Sequence, residues 1–171
     1  METALVSLIC IALIVFGGMT MSQGFMTSVD TSTTGLEDVR EWGESVLRTE
    51  LSSVSSNLTA VNTLEVVLQN TGQVKLADFD KWDFIVQYYD DTGVYYSEWL
   101  PFTNGTLGDN EWEVSEIQLD GGTEVYEPNV LNQGESILLT AQLNPAVGAN
   151  TTNMVVVATP DGITASTYFT Q

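Results

Sequence analysis

Ala4-Leu5-Val6-Ser7-Leu8-Ile9-Cys10-Ile11-Ala12-Leu13-Ile14-Val15-Phe16-Gly17-Gly18-Met19 carries no charged residue. As a helix it is apolar on every side, and such a helix belongs in a membrane or in the core of a packed assembly. At 1.5 Å per residue its 16 residues cover roughly 24 Å. Met1–Thr3 and Thr20–Met26 extend it to the thickness of a bilayer core. A cleavable secretory signal opens with a basic region. Here no Lys or Arg stands before Arg40, so the expectation is a retained helix.

Polarity is divided sharply along the chain. From Met1 to Val29 the one charged side chain is Glu2, whereas Asp30–Gln171 holds 22 acidic and 4 basic residues. The formal net charge is −19. So acidic a chain is repelled by nucleic acid and by anionic head groups, which excludes DNA, RNA and phosphate-rich substrates as partners. It also makes a dense homopolymer costly unless salt, cations or glycans screen it.

The inventory for catalysis is thin. There is no His, which removes the commonest general acid/base and metal ligand near neutral pH. The single Cys, Cys10, makes no intrachain disulfide and no zinc site, and reads as a small packing residue. Asp78/Asp80/Asp83, Asp90/Asp91 and Asp109/Glu111/Glu113 bring carboxylates together, but none matches a calcium-loop pattern, and solvated surface is the better reading. No cofactor, metal site or catalytic residue is expected, and the chain reads as structural, not enzymatic.

Outward from the apolar run, Ser22–Gly35 is rich in poor helix formers. Apolar residues then return at 36, 39, 42, 46 and 47 with a helical period. One long helix to about Leu47 is expected, with a bend at Gly35 as the alternative. From Thr49 the pattern becomes short β-type runs divided by turn signals such as Asn70-Thr71-Gly72, Asp120-Gly121-Gly122 and Asp161-Gly162. Strands are expected near 49–56, 63–70, 82–89, 94–100, 112–118, 135–143, 153–159 and 163–169. Eight strands without intervening helices predict an antiparallel, immunoglobulin-like β-sandwich. The fold class is therefore α+β: residues 1–48 a hydrophobic helix, residues 49–171 an extracellular sandwich domain.

Three sequons, at Asn57, Asn104 and Asn150, fall at expected turns or strand edges and are candidate N-glycosylation sites. The aromatics between Trp82 and Trp112 suit a sugar platform, but more commonly such residues fill a core or a subunit interface.

The chain also resembles a family. An apolar N-terminal helix feeding an immunoglobulin-like sandwich is similar to the archaeal type IV pilin-like proteins, the archaellins and the archaellum accessory pseudopilins. Leu64-Glu65-Val66-Val67-Leu68-Gln69-Asn70-Thr71-Gly72 resembles the family's strand–Asn-x-Gly opening. Leu131-Asn132-Gln133-Gly134-Glu135 resembles a turn of that family, and Val155–Ser166 its closing hairpin. The glutamate of bacterial pilins at the fifth mature position is absent, Leu5 standing there, and no class III leader precedes Met1. The resemblance implies a subunit of an extracellular archaellum-like filament serving motility or adhesion. Its partners would be copies of itself in a helical homopolymer, the membrane before assembly, and glycans. Leu5, Leu8, Ile9, Ile11, Ala12, Val15, Phe16, Gly17 and Gly18 are the expected helix-core contacts. The alternative is a membrane-anchored accessory pseudopilin whose sandwich grips another surface protein.

Overall fold

The computed structural model describes residues 2–171; within the first helix the side chains of Glu2, Ala4, Thr31, Asp38, Glu41, Trp42 and Ser45 lie outside the description. Helix α1 spans Glu2–Arg48 without interruption. The expected single helix is present, and Gly35 does not break it. Its Ser/Thr segment is helical too, and its hydroxyls bond back to the preceding turn: Thr33 Oγ1 donates to the Val29 carbonyl at 2.9 Å and Thr34 Oγ1 to Asp30 at 3.0 Å. Such back-bonding gives each hydroxyl a partner without adding to helix stability.

The chain divides into two compact units, one ending at Glu44 and the other Ser45–Gln171. In the second, nine strands follow: β1 Leu51–Ala60, β2 Thr63–Asn70, β3 Asp83–Tyr89, β4 Tyr95–Leu100, β5 Glu111–Leu119, β6 Gly122–Thr123, β7 Ser136–Gln142, β8 Thr152–Ala158 and β9 Thr164–Thr170. They form two antiparallel sheets, ordered β1-β2-β7-β5-β6 and β4-β3-β8-β9. The eight strands read from sequence are all present. The ninth, β6, is only two residues long, returning on β5 through Asp120-Gly121. Both turn residues have positive φ, 51° and 81°, the mirror-image turn that matches strand twist.

Strict alternation builds the core. Leu64, Val66 and Leu68 of β2 and Phe84, Val86 and Tyr88 of β3 are fully or almost fully buried, and the residues between them face outward. Ile137 and Leu139 of β7, Val155 and Val157 of β8, and Trp112 of β5 complete it. Each such side chain contributes about 1.5–3 kcal/mol by leaving water. Phe84 and Trp112 stack across the sheets with centroids 5.4 Å apart. On one flank the Ser56 hydroxyl of β1 donates to the Tyr168 carbonyl of β9 at 2.8 Å, linking the two sheets. The closing hairpin turns at Thr159–Gly162, where the Gly162 N–H donates to the Thr159 carbonyl and Gly162 takes φ 82°.

Candidate assembly site

The helix residues singled out from sequence all lie on α1, and every one is exposed to its surroundings. At about 100° per residue, Leu8, Ile11 and Val15 follow one line along the helix and Ile9, Leu13 and Phe16 another. No face is spared: Ile11 is 62 % exposed and Ile14 is 73 % exposed. Leu5–Glu37 is long and apolar enough to cross a membrane. Gly17 and Gly18 have open space around the position a Cβ would take. A helix-interior Gly costs about 1 kcal/mol relative to Ala, and nothing in the chain's own packing requires glycine at these two positions. Cys10 is exposed on the same helix.

Two of the quoted sandwich motifs dock on each other. Buried Asn70 donates its side-chain N–H groups to the Val74 carbonyl at 2.8 Å and the Leu131 carbonyl at 3.0 Å, while its Oδ1 accepts from the Gly72 N–H at 3.1 Å. The Asn70 N–H donates to the Glu135 carbonyl, and the Gly134 N–H donates to the Asn70 carbonyl. The buried Glu135 carboxylate accepts from the Asn132 N–H at 2.7 Å. Asn-x-Gly and the Gly-Glu turn are therefore two halves of one hydrogen-bonded joint, in which every buried polar group named has a partner.

At least one member of each acidic group is engaged locally, Asp109 by the Asn144 side chain and Glu111 by the Gly108 N–H. Asp78 pairs with Lys81 at 2.6 Å, and Asp83 accepts from the Trp99 indole N–H at 2.8 Å. Asp90 Oδ1 accepts from the Thr92 N–H, the Thr92 hydroxyl and the Val94 N–H at 2.8–2.9 Å. Burial pushes the Asp90 carboxyl upward, but these donors outweigh it and hold the group below its ordinary range. Among the described residues no cluster of three or more His, Cys, Asp or Glu is arranged to hold a metal. Asn57, Asn104 and Asn150 are all exposed, Asn57 on β1 and Asn150 at a turn with φ 59°. Asn104 borders a cleft of about 690 Å³ floored by Phe79, Phe102, Val114 and Ile117.

The archaeal-type flagellin model matches residues 3–169, spanning the helix and both sheets. The chain belongs to the archaeal-type flagellin family. This flagellin is a structural subunit of an extracellular motility filament. Solved structures share its fold. The archaeal flagellum of Methanospirillum hungatei strain JF1 aligns with TM-score 0.60 at 11 % identity, covering 96 % of this chain and 90 % of that one. Flagellin FlaB1 from Methanocaldococcus jannaschii aligns with TM-score 0.51 at 12 % identity, covering 72 % and 90 %. The archaellum periplasmic stator complex of FlaF and FlaG from Sulfolobus acidocaldarius aligns with TM-score 0.54 at 19 % identity, covering 71 % and 89 %. None of the curated proteins compared with the chain matches it.

What sequence reasoning missed lies on the sandwich surface. Tyr89, Tyr95 and Trp99 are exposed, while Trp82, Phe84, Tyr88 and Trp112 fill the core. The aromatic cluster is thus split between two roles. The signal was available in the alternation of β3 and β4, where Tyr88 pairs with Tyr96 inside and Tyr89 with Tyr95 outside.

Proposed function

We propose that this flagellin polymerises with copies of itself into the helical shaft of an archaellum, through α1, and that α1 waits in the membrane before assembly. The observation carrying this reading is a helix whose residues from Leu5 to Met26 are apolar on all faces and exposed. Leaving such a helix in water would expose many side chains worth about 1.5–3 kcal/mol each. The membrane and a bundle of like helices are two apolar settings between which it transfers without that cost. Gly17 and Gly18 let neighbouring helices approach closely in the bundle. The sandwich, residues 49–171, forms the outer sheath, and glycans on Asn57, Asn104 and Asn150 would add a neutral hydrated layer to an acidic surface.

Negative-stain microscopy of cell-surface fibres, with mass spectrometry of their main subunit, tests this. The expected result is this chain as the dominant filament protein. Recovery solely in membrane fractions at low copy number would point instead to an anchored accessory protein.

A further inference from the structure

The two outer faces of the sandwich differ in charge. On the five-stranded sheet, Glu65, Thr140 and Glu113 lie side by side across β2, β7 and β5, and Glu111 and Glu116 flank them on β5. That face is acidic. On the four-stranded sheet, one row runs Trp99, Ile85, Val156, Ser166 across all four strands. The next runs Ser97, Gln87, Met154, Tyr168. Neither row holds a charge. Tyr89 and Tyr95 extend the face, their rings 5.1 Å apart. Its one carboxylate, Asp83, is engaged by the Trp99 indole. Trp99 is 57 % exposed and Tyr168 is 70 % exposed, so large aromatic surface stands in water on this face.

Resting on the filament reading above, we infer that this uncharged aromatic face is where the sandwich meets the sandwich of a neighbouring copy. The occupant follows from charge. Every neighbour in the sheath carries the same net −19. Two such bodies pack closely only where contact does not desolvate or oppose carboxylates. The four-stranded face satisfies that condition, and its Trp and Tyr are the residue types that carry interface energy. The acidic face, covered by any patch of another copy, would have to desolvate its carboxylates without a basic partner, so it is left to solvent and salt. The contact joins this face to a different patch on the next copy, since head-to-tail contacts that do not close give an open helix.

Cysteine labelling in the full chain tests the assignment. In a Cys10→Ser parent, Ser97→Cys places a thiol on the neutral face and Glu65→Cys one on the acidic face. Each is treated with a charged maleimide, first as detergent-dispersed chain and then as filament. Assembly is expected to slow labelling of Ser97→Cys by about tenfold or more, because interface cores exclude water, and to leave Glu65→Cys unchanged. Ser166→Cys, at the other edge of the neutral face, gives a second reading with the same expectation. Equal labelling of Ser97→Cys and Ser166→Cys in filament and detergent overturns the inference while leaving the filament standing. A wild-type chain that forms no filament overturns the filament reading, and the inference with it.

Discussion

A Cβ built on Gly72 would stand 2.4 Å from the Glu50 backbone nitrogen and 2.7 Å from the Arg48 carbonyl oxygen. The closeness has a cause: the Thr71 and Gly72 N–H groups both donate to the Glu50 carbonyl, and the Gln73 N–H donates to Arg48 at 2.7 Å. These bonds satisfy a carbonyl at the end of α1 that has no partner within the helix. Gly72 is thus the residue of the Asn-x-Gly motif that permits backbone to lie on backbone.

Gly72→Ala should destabilise the sandwich by about 1–3 kcal/mol, the usual cost of overpacking. The neighbours are main chain, which cannot swing aside. Thr71→Ala, one residue away, should cost much less. Denaturant midpoints of the two variants check the contrast, and equal midpoints would show that the close approach relaxes freely.

Ile11→Asp should abolish filament formation and leave the sandwich folded. Ile11 is 62 % exposed within its own chain, so the change removes no packing from the sandwich core. In a helix bundle the carboxylate would be buried without a partner, which costs several kcal/mol. Pelleting of filaments against near-UV circular dichroism of the subunit separates the two effects. Normal fibres from this variant would refute packing of α1 in the filament core.

Much of the fold is legible in the sequence. The apolar run announced α1, and alternation such as Leu64, Val66, Leu68 announced a sheet with one buried face. What alternation did not reveal was which face of β8 points inward. Met154-Val155-Val156-Val157-Ala158 is apolar at every position, so its period is hidden, and only pairing with β3 shows that Val155 and Val157 are inside. The neutral outer face escaped notice for the same reason. The joint between Asn70 and the 131–135 turn was invisible too, because it couples residues some 61 positions apart. The two-residue β6 was too short to show a period of its own.

Asp90 gives the sandwich an acid-sensitive element. Its folded carboxyl lies below the ordinary value of 3.8, so the ionised form is favoured by folding. The stability this supplies is fully present above the unfolded value and is lost as pH falls from there through the folded value. Glu116 and Glu127 are held low by the Thr123 hydroxyl and by Lys75 respectively, and act in the same direction. Asp90→Asn should therefore lower stability at pH 7, where Thr92 and Val94 lose a charged acceptor, yet narrow its gap to the parent below about pH 4. Urea midpoints at both pH values check the sign. A gap that widens in acid would contradict it.

Asn104→Gln should reduce the subunit's mass by one glycan and leave the fold unchanged, since Asn104 is an exposed loop residue. Intact-mass measurement of subunits taken from native filaments reads this directly. An unchanged mass would remove Asn104 from the glycan sites and leave Asn57 and Asn150 to be tested in the same way.

Salt should govern the filament more than the subunit. Of the four cations, Arg40, Lys75 and Lys81 are in exposed ion pairs with Glu44, Glu127 and Asp78. Arg48 donates to the Gln73 side chain. Exposed pairs stabilise little, and they leave the net charge of −19 intact on every copy. Within one sandwich the acidic face meets solvent, whereas polymerisation brings many acidic subunits together. Screening reaches about 3 Å at 1 M salt and about 30 Å at 0.01 M. Filaments should therefore shorten or dissociate on dilution toward 0.01 M, while the sandwich keeps its fold. Light scattering and circular dichroism on one dilution series separate the two responses. Filaments equally stable at both ends would mean that bound cations, not mobile salt, neutralise the acidic face.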